Sequence, residues 1–110
     1  MRDDRLRLQD LLDAITQIET YARRGRQVFD EDPLIRIWIL YHLQIIGEAC
    51  RGLSEPFRCA HPETPWSEAT SLRNVLVHQY FGIDLDAAWA VVEHDLPGLK
   101  QAVSKILSEG

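Results

Sequence analysis

Along most of the chain, apolar residues recur at spacings of three and four, the period of a helix with one buried face. Leu8, Leu11, Leu12, Ile15, Ile18 and Ala22 keep this period, which predicts an amphipathic helix ending near Gly25. The segment RQVFDED that follows lacks the period and reads as a linker to Asp32-Pro33. That pair is an N-cap acid followed by proline at the first helical position. A second helix is predicted over about Pro33 to Leu53, apolar nearly all round through Leu34, Ile35, Ile37, Trp38, Ile39, Leu40, Leu43, Ile45 and Ile46. One helix of so small a chain cannot hide every side against its neighbours, so the excess face predicts a partner subunit. Ser54 to Thr64, with two prolines, reads as a loop. Thr64-Pro65 repeats the cap signal and opens a third helix, WSEATSLRNVLVH. Gly82 breaks the pattern, and Asp84 caps a fourth helix, LDAAWAVVEHDLPGLKQAVSKIL, which Pro97 is expected to kink or restart. Nothing reads as a strand. The pattern predicts an all-α, antiparallel up-and-down bundle of about four main helices.

Composition narrows the function without naming it. The 110 residues fit a single domain over 1–110 with one modest core. Hydrophobic residues at 45% and charged residues at 26% describe a soluble globular chain. No apolar run is long enough to span a bilayer, since Arg36, His42 and Gln44 interrupt the densest one, Ile35 to Ile46. The opening MRDDRLRLQD is too charged for a secretory leader, so a cytoplasmic location is expected. Cys50 and Cys59 match neither a redox pair nor a zinc module and read as packing residues. His42, His61, His78 and His94 show no metal-ligand spacing, so no metal site is expected. A net charge of −5 disfavours nonspecific binding to a polyanion, and any nucleic-acid role must rest on a small local site.

Chemistry concentrates in RNVLVHQYFGID, residues 73 to 84. On a straight α-helix Arg73 and Tyr80 stand about 20° out of register, and Asn74 and His78 about 40°. Arg73 and His78 are about 140° apart. The arginine and histidine therefore converge only if the helix ends near His78, if Arg73 reaches across, or if a second subunit contributes. Imidazole both accepts and donates protons near neutrality, and guanidinium matches the fork of a phosphate. RNA carries its own nucleophile, the 2′-hydroxyl, so this pair suffices in principle for cleavage without a metal. Tyr80 could bind phosphate or stack a base, and Asn74 could fix the imidazole. The structural alternative is a helix end at which arginine and histidine cap carbonyls and the tyrosine packs.

RNVLVHQY resembles the Arg-Asn-x-x-x-His-x-Tyr signature of the HepT-like proteins, a branch of the HEPN superfamily of small helical ribonucleases. IIGEA (residues 45–49), Pro65-Trp66, LRN before the histidine and the closing ID…AW…V…DLPGL pattern fall where that family has them, so the likeness covers nearly the whole chain. The resemblance implies a HEPN-like bundle that dimerises through its helices. It implies a metal-independent toxin endoribonuclease with Arg73 and His78 as catalytic pair, Asn74 in support and no cofactor. It also implies a partner, a minimal nucleotidyltransferase antitoxin that transfers AMP onto Tyr80, and a larger complex with that antitoxin. AMP adds charge and bulk that would fill the cleft and repel RNA.

The motif is unbroken here, while IRIWILYHL is richer in aromatic and β-branched residues than the resemblance leads one to expect. Glu48 is a candidate to orient Arg73 or His78, its other reading being a structurally paired acid. Trp38, Trp66 and Trp89 lie in apolar-periodic stretches and read as core. Two further classes stay open. One is a non-catalytic helical adaptor that binds a nucleotidyltransferase and presents its substrate, which the acidic charge favours. The other is a nucleotide-binding bundle, for which no glycine-rich phosphate cradle is present.

Overall fold

The computed structural model describes residues 3–74 and 85–109. Among these the chain is helical and contains no strand, an all-α bundle. Helix α1 (Asp4–Ala22) begins where the Asp3 carboxylate accepts the Leu6 amide at 2.9 Å. It buries Leu8, Leu11, Ile15 and Ile18, the stripe that the spacing predicts. Helix α3 (Pro33–Arg51) opens on the predicted cap, the Asp32 side chain accepting from the amides of Leu34 and Ile35.

Two segments read as linker and loop are helical. RQVFDED contains α2 (Arg26–Glu31), a helix too short to show a period, anchored by Phe29 at 1% exposure. Ser54 caps α4 (Glu55–Ala60) by accepting the Phe57 amide, with Pro56 in its first turn. The Thr64-Pro65 signal also acts differently from expectation. Among the described residues the buried hydroxyl of Thr64 has no hydrogen-bond partner, and Pro65 itself stands at the N-cap of α5 (Trp66–Thr70). The chain then tightens into a 3₁₀ turn at Ser71–Asn74.

Beyond the undescribed segment come α6 (Leu85–Ala90), a π-helical stretch Val91–Asp95, and α7 (Leu96–Glu109). Pro97 stands in the first turn of α7, where α geometry resumes after the π stretch, the perturbation that the proline predicts. Its ring would meet the carbonyl of Glu93 in a regular α-turn, and the π stretch immediately before it relieves that clash, with the Leu96 amide donating to Val91 five residues back. The expected cap at Asp84 lies outside the described residues.

Helices α3 and α7 both run antiparallel to α1. At one end of α1, the Asp4 carboxylate accepts from the amide and hydroxyl of Ser54 at 2.7 and 2.6 Å, just past the end of α3. At the other end, Trp38 Nε1 donates to the Gln17 carbonyl. Lys100 meets Glu19 at 2.7 Å, and Arg5 donates to the Leu107 carbonyl, which fixes α7 alongside. Ile39, Leu40, Leu43 and Ile46 of α3, all at 0% exposure, form the centre of the core.

Helix α2 ties the start of α6 to this frame. Phe29 packs on Trp89 with ring centroids 5.3 Å apart, and Arg26 bridges Asp30 at 3.0 Å and Asp86 at 2.5 Å. These exposed pairs add little stability, so the aromatic contact carries the tie. Phe29→Ala should therefore cost about 3–5 kcal/mol in a chemical-denaturation curve. A loss below about 1 kcal/mol would mean that α2 only rests on the bundle.

Candidate functional site

The site grows from a glycine in the middle of α3. Gly47 is buried, and a Cβ built on it would overlap the backbone of Leu72 and Arg73. Only a residue without a side chain lets the 3₁₀ turn lie directly against the helix. This contact positions Arg73 from behind, through its main chain. The guanidinium-bearing side chain is left half-buried and, among the described residues, without an ion pair. Glycine inside an apolar helix is the sequence signal for such a close approach.

The 3₁₀ turn alters the expected geometry. Among the described residues the third helix is not one continuous α-helix: Trp66–Thr70 is α, and Ser71–Asn74 turns at about 120° per residue. Angular offsets drawn on a straight α-helix therefore do not carry through Arg73. Asn74 closes the turn. His78 and Tyr80 lie outside the described residues.

Glu48 follows Gly47 in α3 and so projects about 100° away from it. It is exposed, and among the described residues it forms no hydrogen bond or ion pair with Arg73 within one chain. Its carboxylate lines a groove of about 490 Å³ between α1 and α3, together with Arg7, Asp10, Asp13, Tyr41 and His42. His42 is buried there, its Nδ1 donating to the Trp38 carbonyl at 2.7 Å while its ring lies 4.4 Å from the Trp38 ring. That ring is held by packing, which suits the structural role read from the sequence.

Beside this groove runs the excess face of α3. Leu34, Ile37, Trp38 and Tyr41 stand 80%, 46%, 39% and 50% exposed, at the helical spacing of a single stripe that Glu48 continues. Trp66 and Trp89 are buried as expected, but Trp38 belongs to this stripe and is only half core. Cys59 likewise is exposed and not the packing residue its context indicated, because α4 turns it outward. Cys50 is buried in α3, and burial pushes its thiol up to about 12, so it stays protonated at neutral pH.

No described helix is long and apolar enough to cross a membrane. Among the described residues, no group of three or more His, Cys, Asp or Glu side chains is placed to hold a metal ion.

Residues 11–106 match the family described as HepT-like, "Ribonuclease HepT-like". The chain is 36% identical over 100 residues to the Thermococcus cleftensis protein named "Probable ribonuclease HepT", covering 90% of this chain and 91% of that one. It is also 36% identical over 103 residues to a Methanocaldococcus jannaschii protein named "Putative RNase", covering 93% and 94% of the two chains. A further M. jannaschii protein, "Gamma-glutamylcyclotransferase and putative RNase", is 33% identical over 109 residues. That match takes 98% of this chain but 49% of the relative, so the chain spans about half the length of that protein. No solved structure matches the chain.

Gly47→Ala tests the close approach directly. The added methyl group should cost about 1–3 kcal/mol and lower the melting temperature measured by circular dichroism. A variant as stable as the wild type would show that the turn does not depend on the missing side chain.

Proposed function

The chain belongs to the HepT-like family, and on that premise we propose that it is a HEPN-type ribonuclease acting as the toxin of a toxin–antitoxin pair. The observation that carries this reading is the unbroken RNVLVHQY motif inside a family match spanning residues 11–106. The seat of Arg73 on α3 supports it, because a guanidinium with a fixed backbone, and among the described residues no ion pair, is available for an anionic substrate.

In the proposed reaction the 2′-oxygen of RNA attacks the adjacent phosphorus, forming one P–O bond while the bond to the 5′-oxygen breaks. His78 takes the 2′ proton, and a protonated imidazole gives a proton to the departing 5′-oxygen. The products are a 2′,3′-cyclic phosphate and a 5′-hydroxyl. Arg73 holds the non-bridging oxygens as charge builds on them, and Asn74 orients the imidazole. With an unperturbed pKa of about 6.5, histidine has both forms available near neutrality, and no metal is required to supply the base.

A single imidazole can take the 2′ proton and return a proton to the 5′-oxygen in turn, and two copies facing one groove would let base and acid come from different chains. We assign the homodimer interface to the Leu34–Tyr41 stripe, which would bring two copies of the 3₁₀ turn toward one groove and Glu48 toward its partner's site. Silencing would follow when a nucleotidyltransferase antitoxin lets the Tyr80 phenol oxygen attack the α-phosphorus of ATP, releasing pyrophosphate and leaving AMP on the ring. The adaptor reading, in which the same motif docks a nucleotidyltransferase, keeps the support of the −5 net charge.

Purified protein should cut RNA in the presence of EDTA, and His78→Ala should slow cutting at least about a hundredfold while leaving the helical spectrum unchanged. Full activity in that variant would remove the proposed acid–base group. Co-expression with the nucleotidyltransferase should add whole AMP units on Tyr80 by intact and peptide mass, and an unmodified Tyr80 under active co-expression contradicts the silencing step. For the interface, Tyr41→Glu should convert the dimer to monomer in analytical ultracentrifugation, since it desolvates a charge in the apolar face.

A further inference from the structure

A cleft of about 640 Å³ lies between the stretch from Glu63 to Leu72, which reaches into the 3₁₀ turn, on one side and the π stretch with the start of α7 on the other. Its walls are apolar, formed chiefly by Leu72, Val91, Leu96 and Leu99. Its rim is acidic. Glu63, Glu68 and Asp95 line the cleft with no lysine or arginine among the described lining residues. Among the described residues, none of the three carboxylates is paired with a lysine or arginine; Glu63 has only a 3.7 Å contact to His61.

The cleft follows from the local backbone. The π stretch Val91–Asp95 widens the helix ahead of Pro97, and the next residue, Gly98, adds nothing to the wall: a Cβ there would meet no atom within 4 Å. The result is a recess large enough for a few side chains, bordered by negative charge.

We propose that this cleft docks a basic amphipathic segment of a partner protein, its aliphatic side chains entering the recess and its arginine or lysine heads meeting Glu63, Glu68 and Asp95. Charge selects the occupant. RNA phosphate is repelled by three carboxylates, and an acidic peptide fares no better. A guanidinium suits the rim best because it is weakly hydrated and grips carboxylate in a fork. The described lining of the cleft does not include Arg73, and the test below reads binding there separately from RNA cleavage.

The test is an amide-resonance titration of the whole labelled protein with three probes: a synthetic helical peptide of leucine and arginine, the same peptide with glutamate for arginine, and a single-stranded oligoribonucleotide. The basic peptide should shift Leu72, His94 and Gly98, with affinity falling as salt rises. Gly98→Leu should block the recess and abolish those shifts. Glu68→Lys, an exposed substitution, should weaken binding at least about tenfold. RNA cleavage by Gly98→Leu should stay at the wild-type level, so that failure here is distinguishable from failure of the nuclease reading. Absence of cleft shifts at millimolar basic peptide overturns the proposal, as do equal shifts with the acidic peptide or shifts at these residues caused by the oligoribonucleotide.

Discussion

The backbone of the 3₁₀ turn at Leu72–Arg73 lies against α3 at Gly47, and the rest of the candidate site takes its position from that contact. It joins the most deeply buried helix of the bundle to the residue with the most obvious chemistry. Ile46 on one side of the glycine is fully buried, whereas Glu48 on the other is exposed. Within three residues α3 therefore passes from core, through a main-chain contact, to a polar surface. A rigid helix anchoring a functional arginine through its main chain loses little precision when the side chain moves. The cost is intolerance of any Cβ at position 47.

The face of α3 opposite its core gives that anchoring a wider consequence. Leu34, Ile37, Trp38 and Tyr41 leave an apolar stripe that a lone chain would not be expected to expose. In the proposed dimer the stripe is covered, and the two copies of the motif face a shared groove. The cleft near Gly98, whose wall includes Leu72 of the same turn, is rimmed by Glu63, Glu68 and Asp95. In the proposed scheme an anionic substrate and a basic protein segment would take different places on one small helical unit, which is consistent with a net charge of −5 on a proposed RNA-cutting enzyme.

The long elements were legible in the sequence because periodicity and caps agreed. The Leu8–Ile18 stripe and the Asp32-Pro33 start appear in the structure as read, as does the overall all-α class. The short elements were not. Six-residue helices such as α2 and α4 complete too few turns to show a 3.6-residue period, and tertiary contacts such as Phe29 on Trp89 stabilise them. Thr64-Pro65 misled by one position, since proline serves at the cap as well as at the first helical residue. Pro97 was readable as a perturbation, but its resolution into a π stretch depends on neighbours that local sequence rules do not include. Of the site, the motif was legible as residue types. The switch to 3₁₀ geometry was not, and Gly47 as the seat of Arg73 was visible only as an oddly placed glycine.

A groove to which two copies contribute makes one demand that a self-contained site does not. Arg73→Ala and His78→Ala chains, each inactive alone, should recover part of the RNA-cleaving activity when mixed under conditions of subunit exchange, because the mixed dimer again holds one guanidinium and one imidazole. If exchange is demonstrated by mass and the mixture stays as inactive as its components, the two groups do not act across a shared groove.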